Sequence, residues 1–214
     1  MAMTSCHRNV VQILLDQGVL SEQVFLETFG EVVQRYQHEA KRARITLKGD
    51  EEKDKKTLVQ AVDLCNERLE PLGLKIAKMK HKDREGADGQ EGTWNTYYGV
   101  VNLVEEDTKQ DWMGKSEQEF FHKLVMEILG SDTKQIESQE ATSIGRDLES
   151  TAKLNPTEAN RCLERLTQGQ WLAKSDDGYY SLGVRTELQR RYLASDSYTH
   201  AAAPKAEEQV AEID

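Results

Sequence analysis

The chain has 214 residues, of which 37% are hydrophobic and 31% are charged, and its formal net charge is -10 with a pI of about 5.1. This composition predicts a soluble globular protein that can bury two modest cores, and the negative charge argues against a protein that binds mainly to phosphate backbones. No apolar run approaches the roughly 20 residues of a membrane-spanning helix, so we expect an intracellular protein with no membrane partner. The three cysteines favour packing roles in a reducing compartment.

One short sequence occurs twice. Cys-Asn-Glu-Arg-Leu at 65–69 recurs as Cys-Leu-Glu-Arg-Leu at 162–166, 97 residues later. In both copies an amphipathic helix is predicted to end near a glycine, Gly73 or Gly169, and to pass directly into a short apolar strand. The spacing matches one small domain, so the sequence predicts two tandem copies of one fold and favours a binding or scaffolding module.

The first copy has the pattern of three helices and a hairpin. Its predicted elements are a helix over about 4–17, a helix capped by Ser21, a solvated loop over 41–56, a helix ended by Pro71 and Gly73, and strands over 74–82 and 94–103 joined by a long tip at 83–92. This order is typical of a winged-helix domain, in which the hairpin is the wing. We assign residues 1–107 to it.

The second copy repeats the order over residues 108–194. The predictions are a capping box at Ser116 and Glu119, a short helix over 141–148, a helix started by Asn155, Pro156 and Glu158, strands over 171–174 and 179–182 with a tight turn between, and a last helix over 184–193 with Val184, Leu188 and Tyr192 on one side. Residues 195–214 are expected to form a disordered acidic tail. The fold class is therefore mostly α with small β-hairpins, as tandem winged helices.

Reaction chemistry is weakly represented in the sequence. Cys6 and His7 are adjacent, but neighbours on a helix point about 100° apart and do not face each other, so we expect Cys6 to pack in the core. The other histidines lack the spacing of a helical metal pair, and no phosphate loop, dinucleotide fingerprint or nucleophile elbow is present. We predict no catalytic residue, no metal site and no cofactor.

Two basic clusters are candidates for phosphate contacts. One precedes the charged loop, and the other lies along the first wing and comprises Lys75, Lys78, Lys80, Lys82 and Arg84. A basic wing can lie along phosphates and so position a protein on DNA. Lysines on an exposed hairpin also protect a strand edge from pairing with other chains, and both interpretations stay open.

The strand over 94–103 supplies candidate partner-binding residues. Its alternation separates Trp94 and Tyr98 from Val101 and Leu103. If only one face of the strand is buried, the aliphatic Val101 and Leu103 face belongs inside, which leaves two large aromatics near the surface. Such aromatics are typical interface anchors, although both could instead pack on the lysine stems of the wing.

Several of these segments together resemble a known family. They are His7-Arg8 before Leu14-Leu15 and Gly18-Val19-Leu20, the passage from Leu69 to Ile76, Tyr98-Gly99-Val100-Val101-Asn102-Leu103, and Trp171-Leu172 before a tight hairpin. In this order, over Cys6 to Leu193, the chain resembles non-SMC element one, the winged-helix and RING subunit of the SMC five/six complex. The resemblance implies nuclear DNA repair and recombination, with docking on a MAGE-like winged-helix partner and a kleisin subunit.

The chain departs from that family after Leu193. A zinc-binding RING needs eight Cys or His ligands for two zinc ions, and only His200 follows. We therefore expect no zinc and no ubiquitin-ligase activity from these 214 residues alone, and a scaffold role instead. The alternative function is a winged-helix regulator that binds DNA directly.

Overall fold

The structure, a computed structural model, describes residues 3–82, 92–103, 113–149 and 153–193. It contains two units of the same topology, which we call the first unit (residues 3–103) and the second unit (residues 113–193). The predicted wing tip at 83–92, apart from Gly92, the boundary predicted at residue 107 and the tail predicted from residue 195 lie outside the described residues. Among those that are described, no helix is long and apolar enough to cross a bilayer.

The first unit is a three-stranded antiparallel sheet packed on helices. Its elements are α1 (Ser5–Gln17), β1 (Val19–Ser21), α2 (Glu22–Arg35), α3 (Gln37–Arg42), α4 (Glu51–Leu69), a 3-10 turn (Glu70–Leu72), β2 (Leu74–Lys82) and β3 (Trp94–Asn102). The strand order is β1-β3-β2, so β3 is central. The β2–β3 hairpin is the first wing.

Local sequence explains where these helices start and stop. Gly18 follows α1 at a φ of 83° and Gly73 follows the 3-10 turn at a φ of 71°, a backbone region that glycine adopts at little cost. The Ser21 hydroxyl accepts a hydrogen bond from the Val24 amide at 3.4 Å and so caps α2, as predicted. One core lies between the helices and the sheet, and its fully buried members include Cys6, Leu14, Phe25, Phe29, Leu58 and Cys65.

The second unit repeats this arrangement. Its elements are α5 (Lys115–Gly130), β4 (Ile136–Glu137), α6 (Ser138–Ser143), a 3-10 turn (Ile144–Arg146), α7 (Pro156–Gln168), β5 (Leu172–Lys174), β6 (Tyr179–Leu182) and α8 (Val184–Leu193). The strand order β4-β6-β5 matches that of the first unit. A separate core holds, among others, Phe120, Leu124, Ile128, Cys162, Leu163 and Leu166. The predicted fold class of tandem winged helices is confirmed.

Three predicted boundaries were wrong, one in the first unit and two in the second. In the first unit, the solvated loop is shorter than 41–56, because α3 extends to Arg42 and α4 already begins at Glu51. Asp50 caps α4 by accepting the Lys53 amide at 3.2 Å, and the acidic first turn suits the helix dipole, so the high charge of this segment does not prevent a helix.

In the second unit, α5 begins at Lys115 rather than at Ser116. The Glu117 carboxylate accepts the Gly114 amide at 3.1 Å and fixes this start. The helix predicted over 141–148 begins earlier, at Ser138, and ends in the 3-10 turn. The short strands β1 and β4 were not predicted at all.

Helix α8 joins the two units. Its stripe of Val184, Leu188 and Tyr192, predicted from the sequence, does not pack in the second core. It packs on the face of the first sheet that is turned away from the first core, and Leu188 forms a small third cluster there. At Tyr98 and Val101 of β3, the first sheet is consequently covered on both faces, by the first core on the Tyr98 side and by α8 on the Val101 side.

Candidate functional site

The candidate site residues lie on the first wing. Its register pairs Lys82 with Trp94, Lys80 with Thr96, and Lys78 with Tyr98. Directly opposed residues of an antiparallel pair project from the same face of the sheet, and so do alternate residues of one strand. We call the surface formed by Lys78, Lys80, Lys82 and Trp94 the lysine face.

The lysine face is open to solvent. Its three lysines are exposed, and none of them forms an ion pair within the described part of the chain. They follow one another at about 7 Å along the strand. Trp94, opposite Lys82, is 68% exposed. A row of ammonium groups beside an exposed indole can contact an anionic or aromatic ligand.

The five predicted basic residues do not form one cluster. Lys75 pairs with Val101 and projects from the opposite face of the hairpin. Its Nζ lies 3.0 Å from the Glu70 carboxylate, so its charge is already paired. Arg84 lies outside the described residues. The structure therefore brings together Lys78, Lys80 and Lys82 and separates Lys75 from them.

Tyr98 is not a surface residue, and its predicted position was wrong. Only 2% of it is exposed, and its ring lies 5.2 Å from that of Phe25 in the first core. Its hydroxyl donates a hydrogen bond to the Glu22 carboxylate at 3.4 Å. Burial, with the nearby Glu22 charge, raises the pKa of Tyr98 to about 12. A pair of surface aromatics on this strand therefore does not exist.

The cause of this error is the cover provided by α8. The prediction assumed that one face of β3 is buried, but Val101 is also buried, on the opposite face from Tyr98. Leu103, predicted inside, is 38% exposed. The sequence held a signal for this, because Tyr98 and Val101 place apolar side chains on both faces of one strand, as in a sheet buried on both sides.

The cysteines and the buried histidine have structural environments. Cys6 is fully buried, as predicted, and His7 lies beside it in the helix without facing it: the His7 ring bonds back to Thr4. Burial raises the pKa values of Cys65 and Cys162 to about 12, so both thiols stay protonated at neutral pH. Within the described ranges, no group of three His, Cys, Asp or Glu side chains could hold a metal ion.

Comparisons with known proteins agree with this fold. A family model described as the Nse1 non-SMC component of the SMC5-6 complex matches residues 7–188. A Rattus norvegicus protein, "Non-structural maintenance of chromosomes element 1 homolog", is 25% identical over 202 residues, which span 94% of this chain and 67% of the relative.

A solved structure has a similar fold. One chain of an "Nse1-Nse3-Nse4 complex" aligns with a TM-score of 0.68 and 22% sequence identity. The alignment covers 89% of this chain and 73% of that one. At this level of identity, the match establishes a shared fold over most of the chain.

Proposed function

This chain belongs to the family of the Nse1 non-SMC component of the SMC5-6 complex, and we propose that it is a winged-helix scaffold subunit that joins a MAGE-like Nse3 subunit and a kleisin Nse4 subunit. The observation that carries the proposal is the family match over residues 7–188. The fold shared with a chain of an Nse1-Nse3-Nse4 complex supports it. The family also favours a complex subunit over an independent DNA-binding regulator.

The proposed scaffold consists of two domains and a tail. The first and second units correspond to winged-helix domains over 1–107 and 108–194, followed by an acidic tail over 195–214. As a subunit of this complex, the protein would act in the nucleus, in DNA repair and recombination. The test is co-purification of the full chain with Nse3-type and Nse4-type subunits. Failure to form a stable ternary complex would contradict the scaffold role.

The proposed docking anchor is Trp94. An exposed tryptophan offers a large contact area at low conformational cost and often dominates an interface. Trp94→Ala should weaken binding to the MAGE-like subunit by more than about 2 kcal/mol, measured by calorimetry. The melting temperature should change little, because the side chain is mostly solvent-exposed.

Tyr179→Ala is the matched control for Trp94→Ala. Tyr179 is also an exposed aromatic on a hairpin strand, but it lies in the second unit. It should leave the affinity for the MAGE-like subunit unchanged. Equal affinity of Trp94→Ala and the parent chain would move the docking surface away from the first wing.

We also propose a secondary role for the lysine face, as a contact for nucleic-acid phosphates. The observation that favours it is the alignment of Lys78, Lys80 and Lys82, all exposed and unpaired within the described chain, on one face. Replacing all three with Gln should reduce the salt dependence of duplex binding by about 2 to 3 units of log-log slope, because each neutralised phosphate contributes about 0.9.

Lys75→Gln is the internal control for that experiment. It removes one positive charge, against three in the triple variant, from the same strand, but on the other face and from an existing ion pair. Its salt slope should equal that of the parent chain in a fluorescence anisotropy titration. If Lys75→Gln lowers the slope by about a third as much as the triple variant, so that each removed charge has the same effect, then net charge, and not the lysine face, governs binding.

A further inference from the structure

Helix α8 packs closely on the first sheet although it follows the second unit in sequence. Leu188 is 1% exposed and lies in one cluster with Ala77, Met79 and Val101 of the hairpin. The approach depends on Gly99 of β3, since a Cβ at that position would lie 2.9 Å from the Leu188 side chain. A contact this close has no room for water or for a larger residue.

Polar contacts hold α8 to both strands of the first wing. The Gln189 side chain donates to the Asn102 carbonyl at 2.8 Å and accepts the Asn102 amide at 3.1 Å, so it bonds β3 as a neighbouring strand would. On β2, the Tyr192 hydroxyl donates to the Lys78 carbonyl at 3.4 Å. These contacts lie directly behind the strands that carry the lysine face.

The start of α8 is fixed to the second unit. Gly183 donates its amide to the Trp171 carbonyl at 2.9 Å, and the Thr186 hydroxyl donates to the same carbonyl at 2.5 Å. The Arg185 amide bonds the Gln170 carbonyl at 3.1 Å. A Cβ at Gly183 would lie 2.2 Å from that Gln170 oxygen, so only glycine fits the turn into the helix.

Arg185 lies at the junction between the units. Its guanidinium stands 4.3 Å from the centre of the Trp171 ring, within range of a cation–π interaction. On its other side, the guanidinium lies against Gly18 of the first unit: a Cβ added at Gly18 would be only 2.7 Å from Arg185 Nη1. The side chain therefore fills the space between Trp171 and Gly18, and any tilt of one unit against the other disturbs it.

From these contacts we infer that α8 is a strap, a helix by which the second unit holds the first wing in place. The two units therefore unfold locally in a coupled way, as one cooperative body. The helix is fastened at its start to the second unit and along its length to β2 and β3. Opening of the second unit therefore removes the cover from the back of the wing. The strap would also fix the orientation of the lysine face for a ligand, and this part of the inference rests on the proposed function. The coupling of the two units by α8 does not depend on it.

The strap predicts that damage to the second core is transmitted to the first wing. Leu166 is fully buried in the second core and belongs to a cluster that contains no residue of the first unit. In the full chain, Leu166→Ala should accelerate amide exchange in β2 and β3 about tenfold, because the strap loosens with its anchor. Hydrogen–deuterium exchange read by mass spectrometry on peptides from the hairpin measures this.

The effect of Leu166→Ala on amide exchange in β2 and β3, which we call the transmission, should disappear when the strap is weakened. In a chain that carries Leu188→Ala and Gln189→Ala, β2 and β3 should exchange faster than in the parent, and adding Leu166→Ala should cause no further increase. Arg191→Ala, at an exposed position of the same helix, is the matched control and should leave the transmission intact. If the double variant does not fold, Gln189→Ala alone carries the same comparison, with a partial loss of transmission expected.

Two outcomes would overturn the strap. One is unchanged exchange of β2 and β3 in Leu166→Ala, and the other is an equal increase with and without the α8 substitutions. Because the experiment contains no ligand, its result is independent of whether Trp94 binds a partner or the lysines bind phosphate. A failed strap and a failed docking surface are therefore distinguishable.

Discussion

His7 is a buried titratable side chain at the first turn of α1. Its Nδ1 lies 2.8 Å from the Thr4 hydroxyl and accepts the Thr4 amide at 3.2 Å. An acceptor at Nδ1 requires a neutral ring with its proton on Nε2. Burial lowers the pKa of His7 below its ordinary value of 6.5, because the charged ring would be poorly solvated.

His7 should make folding stability depend on pH just below neutrality. In the unfolded chain the ring protonates near pH 6.5, whereas in the folded chain it stays neutral to a lower pH. Between the two pKa values the unfolded state therefore binds more protons than the folded state. The contribution of His7 to the free energy of unfolding should be complete above pH 6.5 and should decrease as the pH falls from there towards the folded pKa. Denaturant melts at several pH values between 7 and 5 measure the slope.

His7→Gln should flatten this slope, even if it also costs a constant amount of stability from lost packing. His122→Gln, at an exposed helical position, should retain the slope of the parent. An unchanged pH dependence in His7→Gln would mean that the buried ring does not control stability in this range.

Among the elements, those with local signals were predictable. Asn155 caps α7 by accepting the Thr157 and Glu158 amides, both at 3.0 Å, as the sequence predicted from Asn155, Pro156 and Glu158. The strands β1 and β4 have three and two residues, too few for alternation to be visible. The cap of α5 is Gly114, which carries no side-chain signal, so the Ser116 motif misplaced that start.

Helix α7 provides a test of the predicted helical phase. Leu166→Ala should cost about 2 to 5 kcal/mol of unfolding free energy, because it removes a fully buried side chain from the second core. Glu164→Ala, on the exposed side of the same helix, should stay within about 0.5 kcal/mol. The opposite ranking in denaturant melts would mean that the buried face of α7 is misassigned.

At the scale of the whole molecule, the internal repeat predicted two copies of one fold but not how they contact each other. Helical periodicity placed Leu188 and Tyr192 on an apolar stripe, yet periodicity gives no information on which surface a stripe covers. That surface lies about 100 residues away along the chain, on the back of the first sheet. Because the sequence did not show that α8 covers the back of this sheet, Tyr98 was wrongly predicted at the surface. Of the predicted pair of aromatics, only Trp94 is exposed.

Removing α8 should uncover the back of the first sheet. A chain without residues 184–214 would expose Ala77, Met79 and Val101, so it should bind the dye ANS and melt at a lower temperature than the parent. A chain without residues 194–214 keeps α8 and should match the parent in both measurements. Equal dye binding by the two shortened chains would show that α8 does not cover this surface.

The far end of α8 has a consequence for anything joined to it. The Tyr192 hydroxyl meets the Lys78 carbonyl although the two residues are 114 positions apart, so the helix ends beside β2 of the first wing. A group tethered after Leu193 by a short flexible linker then reaches a local concentration in the millimolar range at that wing. If such a group and the first wing each bound the same ligand weakly, the ligand would be held at both sites at once and bound with higher avidity.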